Sequence, residues 1–448
     1  MKNVLILGAG LVVKPMVDYL VGNQIFVTIA SRTKARAEAI LPDQASGRTV
    51  KWTVDQDEKL DDLVKNHEVV VSMLPYTYHP LVAKKCIRFQ KHMVTTSYVQ
   101  PEIISLGEPA EEAGILILNE MGVDPGIDHM SAKRVIDQVH RNRGKIKEFY
   151  SITGALAAPE AADNPLRYKF SWSPKGVVRA GNNPAKYMKA GKEVNIPAKD
   201  LLKRTFKTEF PEVGQLEVYA NRDSKKYIDI YDIPEAQTIF RGTFRYKGWC
   251  ETIDAMKRLN LLSDEPTNLA GMTLADLVAH QVGEKDSSNI RKKVSRHLDI
   301  PENANALDAL EWLGLFDQRP IQREKDSPFE VTSDLMLEKM KLGKDERDMV
   351  AMQHNFLVEY PGKPQEVIRS RLLAFGDPQG DTAIARTVAL PAAIAVKMIL
   401  ESKINLKGIH RPVVQEIYEP VLRELEQHDI NVEEIFGLPP DNKIKLQL

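Results

Sequence analysis

The chain has 448 residues, 43% of them hydrophobic and 27% charged, with 61 Lys plus Arg against 62 Asp plus Glu. That composition is ordinary for a soluble globular protein of two or three domains, and the balanced charge argues against nucleic acid or an anionic membrane as the main partner. The two cysteines, Cys86 and Cys250, make neither a disulfide framework nor a metal cluster, and read as reduced thiols of a cytoplasmic protein.

The opening Met1-Lys2-Asn3 runs directly into Val4–Leu7, so a signal peptide is not expected. Strands are expected at Val4–Leu7, Ile25–Ile29, Val50–Val54, Val69–Ser72, Met93–Thr96 and Ile115–Leu118. Several are continuous apolar runs, the pattern of a parallel sheet buried on both faces. Helices are expected between them at Pro15–Val21, Lys34–Leu41, Asp57–Lys65, His79–Gln90 and Pro101–Ala113. The alternation predicts an α/β fold whose first domain, residues 1–128, is a Rossmann-like doubly wound parallel sheet.

From residue 129 to 261, a helix at Ser131–His140 leads into longer strands and polar loops, a second α/β domain; periodicity leaves open which earlier domain the tail of the chain rejoins. Residues 262–350 read as an all-helical domain, with amphipathic helices at Leu274–Val282, Asn289–His297, Ala304–Leu313 and Ser333–Lys341. Pro361-Gly362-Lys363-Pro364 predicts a hairpin turn between Asn355–Tyr360 and Val367–Leu373. Helices at Thr382–Leu400 and Val413–Gln427 close the chain. The apolar stretch Val388–Leu400 is shorter than the ~18–20 residues of a membrane span, and no membrane partner is expected.

Gly8-Ala9-Gly10-Leu11-Val12-Val13 follows the first strand and opens a helix near Pro15. Glycines there permit a tight turn and close backbone approach to a pyrophosphate at a helix N-terminus. The third fingerprint glycine is replaced by Val13. The second strand ends in Ala30-Ser31-Arg32-Thr33, where an NAD-binding domain usually places a carboxylate. Two hydroxyls and a guanidinium suit a 2′-phosphate, so NADP is preferred over NAD; the bland alternative for Arg32 is a solvated surface charge.

Leu74-Pro75-Tyr76, Thr96-Ser97-Tyr98 and Gly122-Val123-Asp124-Pro125-Gly126 follow strand ends, where an open parallel sheet binds its ligand. Asp124 is either a stiffly held carboxylate or a helix N-cap, and Tyr98 is either functional or packing. Arg222 and Arg245 could clamp carboxylates bidentately, or form salt bridges with Asp223 or Glu235. Asn164-Pro165-Leu166-Arg167-Tyr168-Lys169-Phe170-Ser171-Trp172-Ser173-Pro174 mixes aromatic, basic and hydroxyl groups, and reads as a surface that grips a charged small molecule.

With Asp124-Pro125-Gly126-Ile127-Asp128-His129, Asn221-Arg222-Asp223-Ser224 and Arg241-Gly242-Thr243-Phe244-Arg245-Tyr246, these motifs resemble, in order, those of the saccharopine dehydrogenase family, in its NADP-dependent, L-glutamate-forming branch. The resemblance implies a homodimer of three-domain chains, with residues 351–384 joined to the second, substrate and dimerisation domain and residues from about 385 to 448 packed back on the Rossmann domain. It implies reversible hydride transfer through an imine: saccharopine, NADP and water give L-glutamate, 2-aminoadipate 6-semialdehyde and NADPH, in the aminoadipate pathway of lysine metabolism. It places dinucleotide contacts on Ala9, Gly10, Leu11, Val12, Ser31, Arg32, Thr33, Thr96, Ser97, Val123, Asp124, Pro125 and Ser173, to which the glycine turn and the strand-end loops add Gly8 and Leu74. Substrate contacts fall on Tyr98, Val99, Asp124, Arg222, Thr243, Phe244 and Arg245, with Asp124 and Tyr98 as catalytic candidates and no metal. Thr153 stands where the family commonly has a cysteine, and Gly380-Asp381-Thr382-Ala383-Ile384-Ala385-Arg386 replaces another family motif. Two other readings are a carboxynorspermidine-type dehydrogenase, which a pair of carboxylate-binding arginines disfavours, and a non-catalytic dinucleotide sensor.

Overall fold

The computed structural model describes residues 2–446, except 44 and 173. The chain opens with β1 (Asn3–Leu7), α1 (Lys14–Gly22), β2 (Phe26–Ser31), α2 (Lys34–Ile40), β3 (Gly47–Lys51), α3 (Asp57–Lys65), β4 (Val69–Ser72), α4 (His79–Phe89), β5 (His92–Thr95), α5 (Pro101–Ile104), α6 (Gly107–Glu112), β6 (Leu116–Leu118) and α7 (Ile127–Arg141). Then come β7 (Lys145–Ala157), α8 (Pro174–Ala180), β8 (Ala185–Lys189), β9 (Lys192–Ile196), β10 (Thr205–Phe210), β11 (Gly214–Ala220), α9 (Tyr227–Tyr231), β12 (Thr238–Arg245) and α10 (Trp249–Arg258). A mostly helical stretch holds β13 (Thr267–Asn268), α11 (Leu274–Gln281), α12 (Ile290–Leu298), α13 (Asn305–Trp312), β14 (Lys325–Asp326) and α14 (Pro328–Lys339). The last elements are β15 (Asp348–Glu359), β16 (Glu366–Phe375), α15 (Ala383–Leu400), β17 (Gly408–His410), α16 (Gln415–Glu426) and β18 (Val432–Leu438).

Packing divides the chain into two units. Unit 1 is Met1–Lys147, Asp229–Glu235 and Met352–Asn442; unit 2 is Glu148–Ile228, Ala236–Ala351 and Lys443–Leu448.

Unit 1 is built on a parallel sheet ordered β17-β6-β5-β4-β1-β2-β3. The strand order reverses between β1 and β4, which makes the crevice beyond their carboxyl ends a ligand position. β1 and β4 are buried almost throughout, as their unbroken apolar runs require. α15 packs on α1, and β17 extends the sheet beside β6. α15 has the length and hydropathy of a membrane span, but most of it is buried inside the protein. It runs through Pro391, and Thr382 caps it by accepting the Ala385 N–H at 3.1 Å. In the same unit β16 pairs antiparallel with β18, and His354 of β15 meets the Ser131 hydroxyl of α7 at 2.8 Å.

In unit 2, β11 pairs antiparallel with β10 and β12, and β12 runs parallel to β7. Through the register, Thr153, Thr243 and Tyr219 lie side by side on one face. Strand alternation puts Arg241 and Arg245 on that face and Phe244 on the other.

Several expected boundaries move for local reasons. β3 starts at Gly47, not Val50, because Asp43 receives both the N–H and the hydroxyl of Ser46 at 2.8 Å and turns the chain early. Trp52, just past the end of β3, still donates its N–H to Ser31 O at 3.0 Å, and its indole N–H to the Gln56 carbonyl at 3.2 Å. The helix expected over Pro101–Ala113 is two short ones, since Pro109 cannot tolerate a helical Ser105 carbonyl four residues before it. α7 begins at Ile127 rather than Ser131, and α14 at Pro328 rather than Ser333, where Ser327 caps it. The run from Asn164 is not an open surface. Asn164, Leu166, Tyr168, Lys169, Phe170 and Ser171 are buried. Asn164 closes the turn, donating to the Tyr168 carbonyl at 2.8 Å and accepting from the Leu166 N–H at 3.1 Å. Lys169 pairs with Asp163 and Glu346.

Candidate functional site

In unit 1 the loops after β1, β2, β4, β5 and β6 gather the first set of residues. Gly8 has φ +114°, and a Cβ there would lie 3.0 Å from the Met73 carbonyl oxygen. The fold itself therefore requires this glycine. Around Gly10 a Cβ would meet nothing within 4 Å. The chain has no need of glycine there, whereas close approach of a pyrophosphate does. Leu11 beside it is 73% exposed, an apolar surface at the mouth of the turn. Val13, in the third glycine's place, is fully buried in the core.

At the end of β2 the Ser31 hydroxyl accepts the Thr33 N–H at 3.2 Å. Arg32 is exposed and forms no ion pair among the described residues. A flexible cation beside two hydroxyls fits the 2′-phosphate of NADP. The donor set thus suits this dinucleotide: Gly8 to Val12 for the pyrophosphate, Ser31, Arg32 and Thr33 for the phosphate on the ribose. Leu74, Thr96 and Ser97 are half-buried at the ends of β4 and β5, with Val123 and Pro125 buried after β6. Ser97 is held by His79, whose Nε2 lies 2.9 Å from its hydroxyl and whose Nδ1 lies 2.9 Å from that of Ser72. Burial pushes the His79 imidazole down to about 4, so it is neutral at pH 7. Ser173 lies outside the described residues.

Tyr98 and Asp124 meet: the phenol donates to Asp124 Oδ1 at 2.7 Å. Asp124 is half-buried, in a loop closed by the Gly122 N–H to Pro125 O bond at 2.9 Å. The cap at the start of α7 is carried by Asp128, whose Oδ1 accepts from the Gly126 N–H at 2.6 Å and its neighbour His129 N–H at 2.8 Å. The N-cap position itself is Gly126, two residues after Asp124. The N–H of Val99 donates to Glu120 Oε1 at 2.9 Å, and its side chain packs against the apolar core of this unit, so Val99 can serve a ligand only through its backbone.

In unit 2 the central feature is Arg245, 4% exposed. Its guanidinium lies 5.3 Å from the ring centres of Tyr168 and Trp249 and 5.8 Å from that of Tyr219. Nη1 donates to the Phe244 carbonyl at 2.8 Å, while Nε has no partner and no carboxylate lies within 4 Å among the described residues. Thr153 Oγ1, Tyr168 OH and Trp172 Nε1 are likewise buried and unpartnered among the described residues. Unsatisfied buried polar groups are costly, and a cluster of them marks a place shaped for a polar ligand.

The structure does not bring all the expected substrate residues together. Thr243 shares the face of Arg245, but the Phe244 side chain points away and meets Phe210 edge-on at 5.6 Å. Phe244 can serve a ligand only through its backbone. Arg222 is exposed on a turn with φ +51°, just past the Ala220–Gly242 pair, whereas Arg245 pairs with Glu217. By register the two arginines are several residues apart along the ladder, on the order of 15 Å at ~3.3 Å per residue. Two ends of an extended molecule are compatible with that spacing. Arg241, on the same strand face, lies 4.3 Å over the Tyr227 ring and donates to its hydroxyl at 2.7 Å, so it is engaged within the fold.

Two substitutions separate fold from cofactor. Gly8→Ala is expected to lower the thermal unfolding midpoint. Gly10→Ala is expected to keep it while weakening NADPH by about tenfold or more, since pyrophosphate approach is blocked. Fluorescence titration with NADPH checks this, and unchanged affinity in Gly10→Ala contradicts the assignment. Arg32→Ala removes a charge-assisted hydrogen bond of ~1.5–3 kcal/mol, so NADPH should bind roughly 10–150-fold more weakly with NADH unchanged. An equal loss for both cofactors would remove Arg32 from the 2′-phosphate.

Comparison with known proteins agrees with this geometry. Residues 4–118 match the family described as saccharopine dehydrogenase NADP binding domain, and residues 122–430 the saccharopine dehydrogenase C-terminal domain. The chain is 39% identical over 435 residues to a saccharopine dehydrogenase [NADP(+), L-glutamate-forming] of Saccharomyces cerevisiae, covering 95% of this chain and 97% of that one. It is 36% identical over 439 residues to the mitochondrial alpha-aminoadipic semialdehyde synthase of Bos taurus, covering 96% of this chain but 47% of that protein. The solved structure of apo saccharopine dehydrogenase (L-Glu forming) from Saccharomyces cerevisiae superposes with a TM-score of 0.89 at 36% identity, covering 97% of this chain and all of that one. The NAD complex of a homospermidine synthase from Legionella pneumophila shares the fold alone, with a TM-score of 0.57 at 11% identity, covering 100% of this chain and 94% of that one. A dinucleotide turn, a Tyr–Asp pair and a buried arginine thus stand in a chain that belongs to the saccharopine dehydrogenase family.

Proposed function

We propose that the protein is an NADP-dependent saccharopine dehydrogenase of the L-glutamate-forming kind, acting in lysine metabolism. It oxidises saccharopine with NADP and water to L-glutamate, 2-aminoadipate 6-semialdehyde and NADPH, reversibly. The observation that carries this reading is Arg245: a buried guanidinium, walled by three aromatic rings, with no carboxylate within 4 Å among the described residues. A buried cation without a counter-ion is strongly unfavourable. A substrate with several carboxylates supplies one. Arg222 is assigned to a second carboxylate, further along the same molecule.

Oxidising a secondary amine requires its nitrogen to lose a proton first, because an ammonium has no lone pair to stabilise the forming iminium. Bound NADP supplies hydride acceptance. The chain supplies the proton path: Asp124 takes the ammonium proton on its carboxylate, and the Tyr98 phenol, bonded to Oδ1, fixes that carboxylate's direction. Water then adds to the imine, and the same pair returns and removes protons as the carbon–nitrogen bond breaks. Thr153 takes no part in this, since a hydroxyl does not titrate near neutrality. Its buried Oγ1 is assigned to a polar group of the substrate. We further infer a cytoplasmic homodimer; Cys86 and Cys250, both buried and unpaired, are compatible with a reducing compartment.

The direct test is NADPH oxidation with glutamate plus aminoadipate semialdehyde, against panels of other amino acids and aldehydes. Turnover only with another pair would reassign the substrate. Asp124→Asn is expected to lower turnover about 10²–10⁴-fold with NADP binding kept, and to remove one limb of the pH profile. Near-wild-type turnover with a bell-shaped profile would return the role to solvent. Arg245→Lys keeps charge but loses the planar fork. It should raise the apparent saccharopine constant strongly and leave the NADP constant unchanged.

A further inference from the structure

Within unit 1 a buried carboxylate stands behind the Tyr98–Asp124 pair. Glu120 is 2% exposed and holds φ +63°, a conformation that a glutamate rarely adopts. Its main-chain N–H donates to Ser97 O at 3.2 Å, and its Oε1 accepts from the Val99 N–H at 2.9 Å. One residue thus holds the backbone on both sides of Tyr98. Oε1 also accepts from Arg411 Nε at 2.9 Å, and Oε2 meets His129 Nε2 at 2.6 Å.

A carboxylate only accepts, so all three neighbours are donors. His129 therefore carries its proton on Nε2. In its neutral form the Nδ1 accepts from the Tyr231 hydroxyl, 3.0 Å away. Burial would raise the Glu120 carboxyl, but the bond from His129, attraction to His129 and Arg411 and the Val99 N–H outweigh it and hold the group at about 2. The carboxylate is ionised throughout the physiological range.

Glu120 also begins the segment that carries Asp124, and His129 lies just past its end, where Asp128 ties the Gly126 N–H. We propose that Glu120 is a positioning residue for the reaction: clamping Ser97 and Val99 from one side and His129 from the other, it sets the distance and direction at which the Tyr98 hydroxyl meets Asp124. This rests on the reading of Tyr98 and Asp124 as the acid–base pair. Glu120 does not touch the reacting atoms, and acts through the two residues that do.

The test is a double-mutant cycle on the full-length enzyme with saccharopine and NADP. Glu120→Gln, Tyr98→Phe and the double variant are compared by kcat, by the saccharopine KM and by NADPH affinity. Glu120→Gln is expected to lower kcat about tenfold or more, with NADPH affinity within about twofold of wild type. In the Tyr98→Phe background the same change should lower kcat by less than about threefold, because the contact it aligns is already gone. An equal fractional loss in both backgrounds, or parallel losses of kcat and NADPH binding, would overturn the proposal. Wild-type turnover in both Tyr98→Phe and Asp124→Asn would instead sink the reading of the pair, and this inference with it. Should Glu120→Gln fail to fold, Arg411→Met is taken through the same cycle with the same expected outcomes. Amide hydrogen exchange of residues 97–100 gives a readout independent of activity. Faster exchange there in either variant supports the clamp, and unchanged exchange in both rules it out.

Discussion

The functional arrangement of unit 1 depends on parallel backbone pairing at β1. Val4, Leu5, Ile6 and Leu7 match Val27 to Ala30 on one side and Val69 to Ser72 on the other. These strands share a direction and a register, so their carboxyl ends finish close together. The glycine turn, Arg32 and Leu74 hang from those ends, and Ser97 from the end of β5, which pairs with β4. Parallel hydrogen bonding alone specifies no ligand, but it places each loop within reach of the same crevice. Burial on both faces makes a slip of register costly, because every side chain would lose the close-packed place it fills.

Unit 2 uses its sheet differently. There the strand face itself presents polar groups, with Thr153, Thr243, Tyr219 and Arg245 on one side and Phe240 and Phe244 packed away on the other. Aromatic rings around Arg245 keep water from the guanidinium while offering it their negative faces. The result is a cation that is costly to leave alone and well shaped for a carboxylate. The surrounding unpartnered hydroxyl and indole groups extend the same property over a neighbourhood rather than a point.

Features governed by backbone sterics were legible in the amino-acid order. Gly8 and Gly10 stand between an apolar run and Pro15, and only a strand–turn–helix explains them. The strands of the first sheet were legible for the same reason: unbroken Val and Ile runs have few alternatives. Features governed by side-chain satisfaction were not. The run from Asn164 looks too polar to bury, yet Asn164 and Lys169 find partners inside the fold and take their neighbours in with them. Phe244 sits between Thr243 and Arg245 in sequence, and only alternation along β12 shows that its side chain faces elsewhere. Glu120 was invisible because its partners are the Val99 backbone, a histidine on α7 and an arginine from the end of the chain. No local pattern encodes that convergence.

β17 has a consequence for how the protein is made. It pairs with β6, and Arg411, just beyond it, reaches a carboxylate 291 positions earlier in the sequence. At ~5–20 residues per second, synthesis separates these partners by roughly 15–60 s. During that interval the strand β6 has an open edge, and the apolar face of α1 lacks the α15 helix that later covers it. An exposed edge strand beside uncovered apolar surface is a template for wrong pairing. The dinucleotide sheet, though first in sequence, is therefore finished late, and its folding is tied to the arrival of the C-terminal segment rather than to its own emergence from the ribosome.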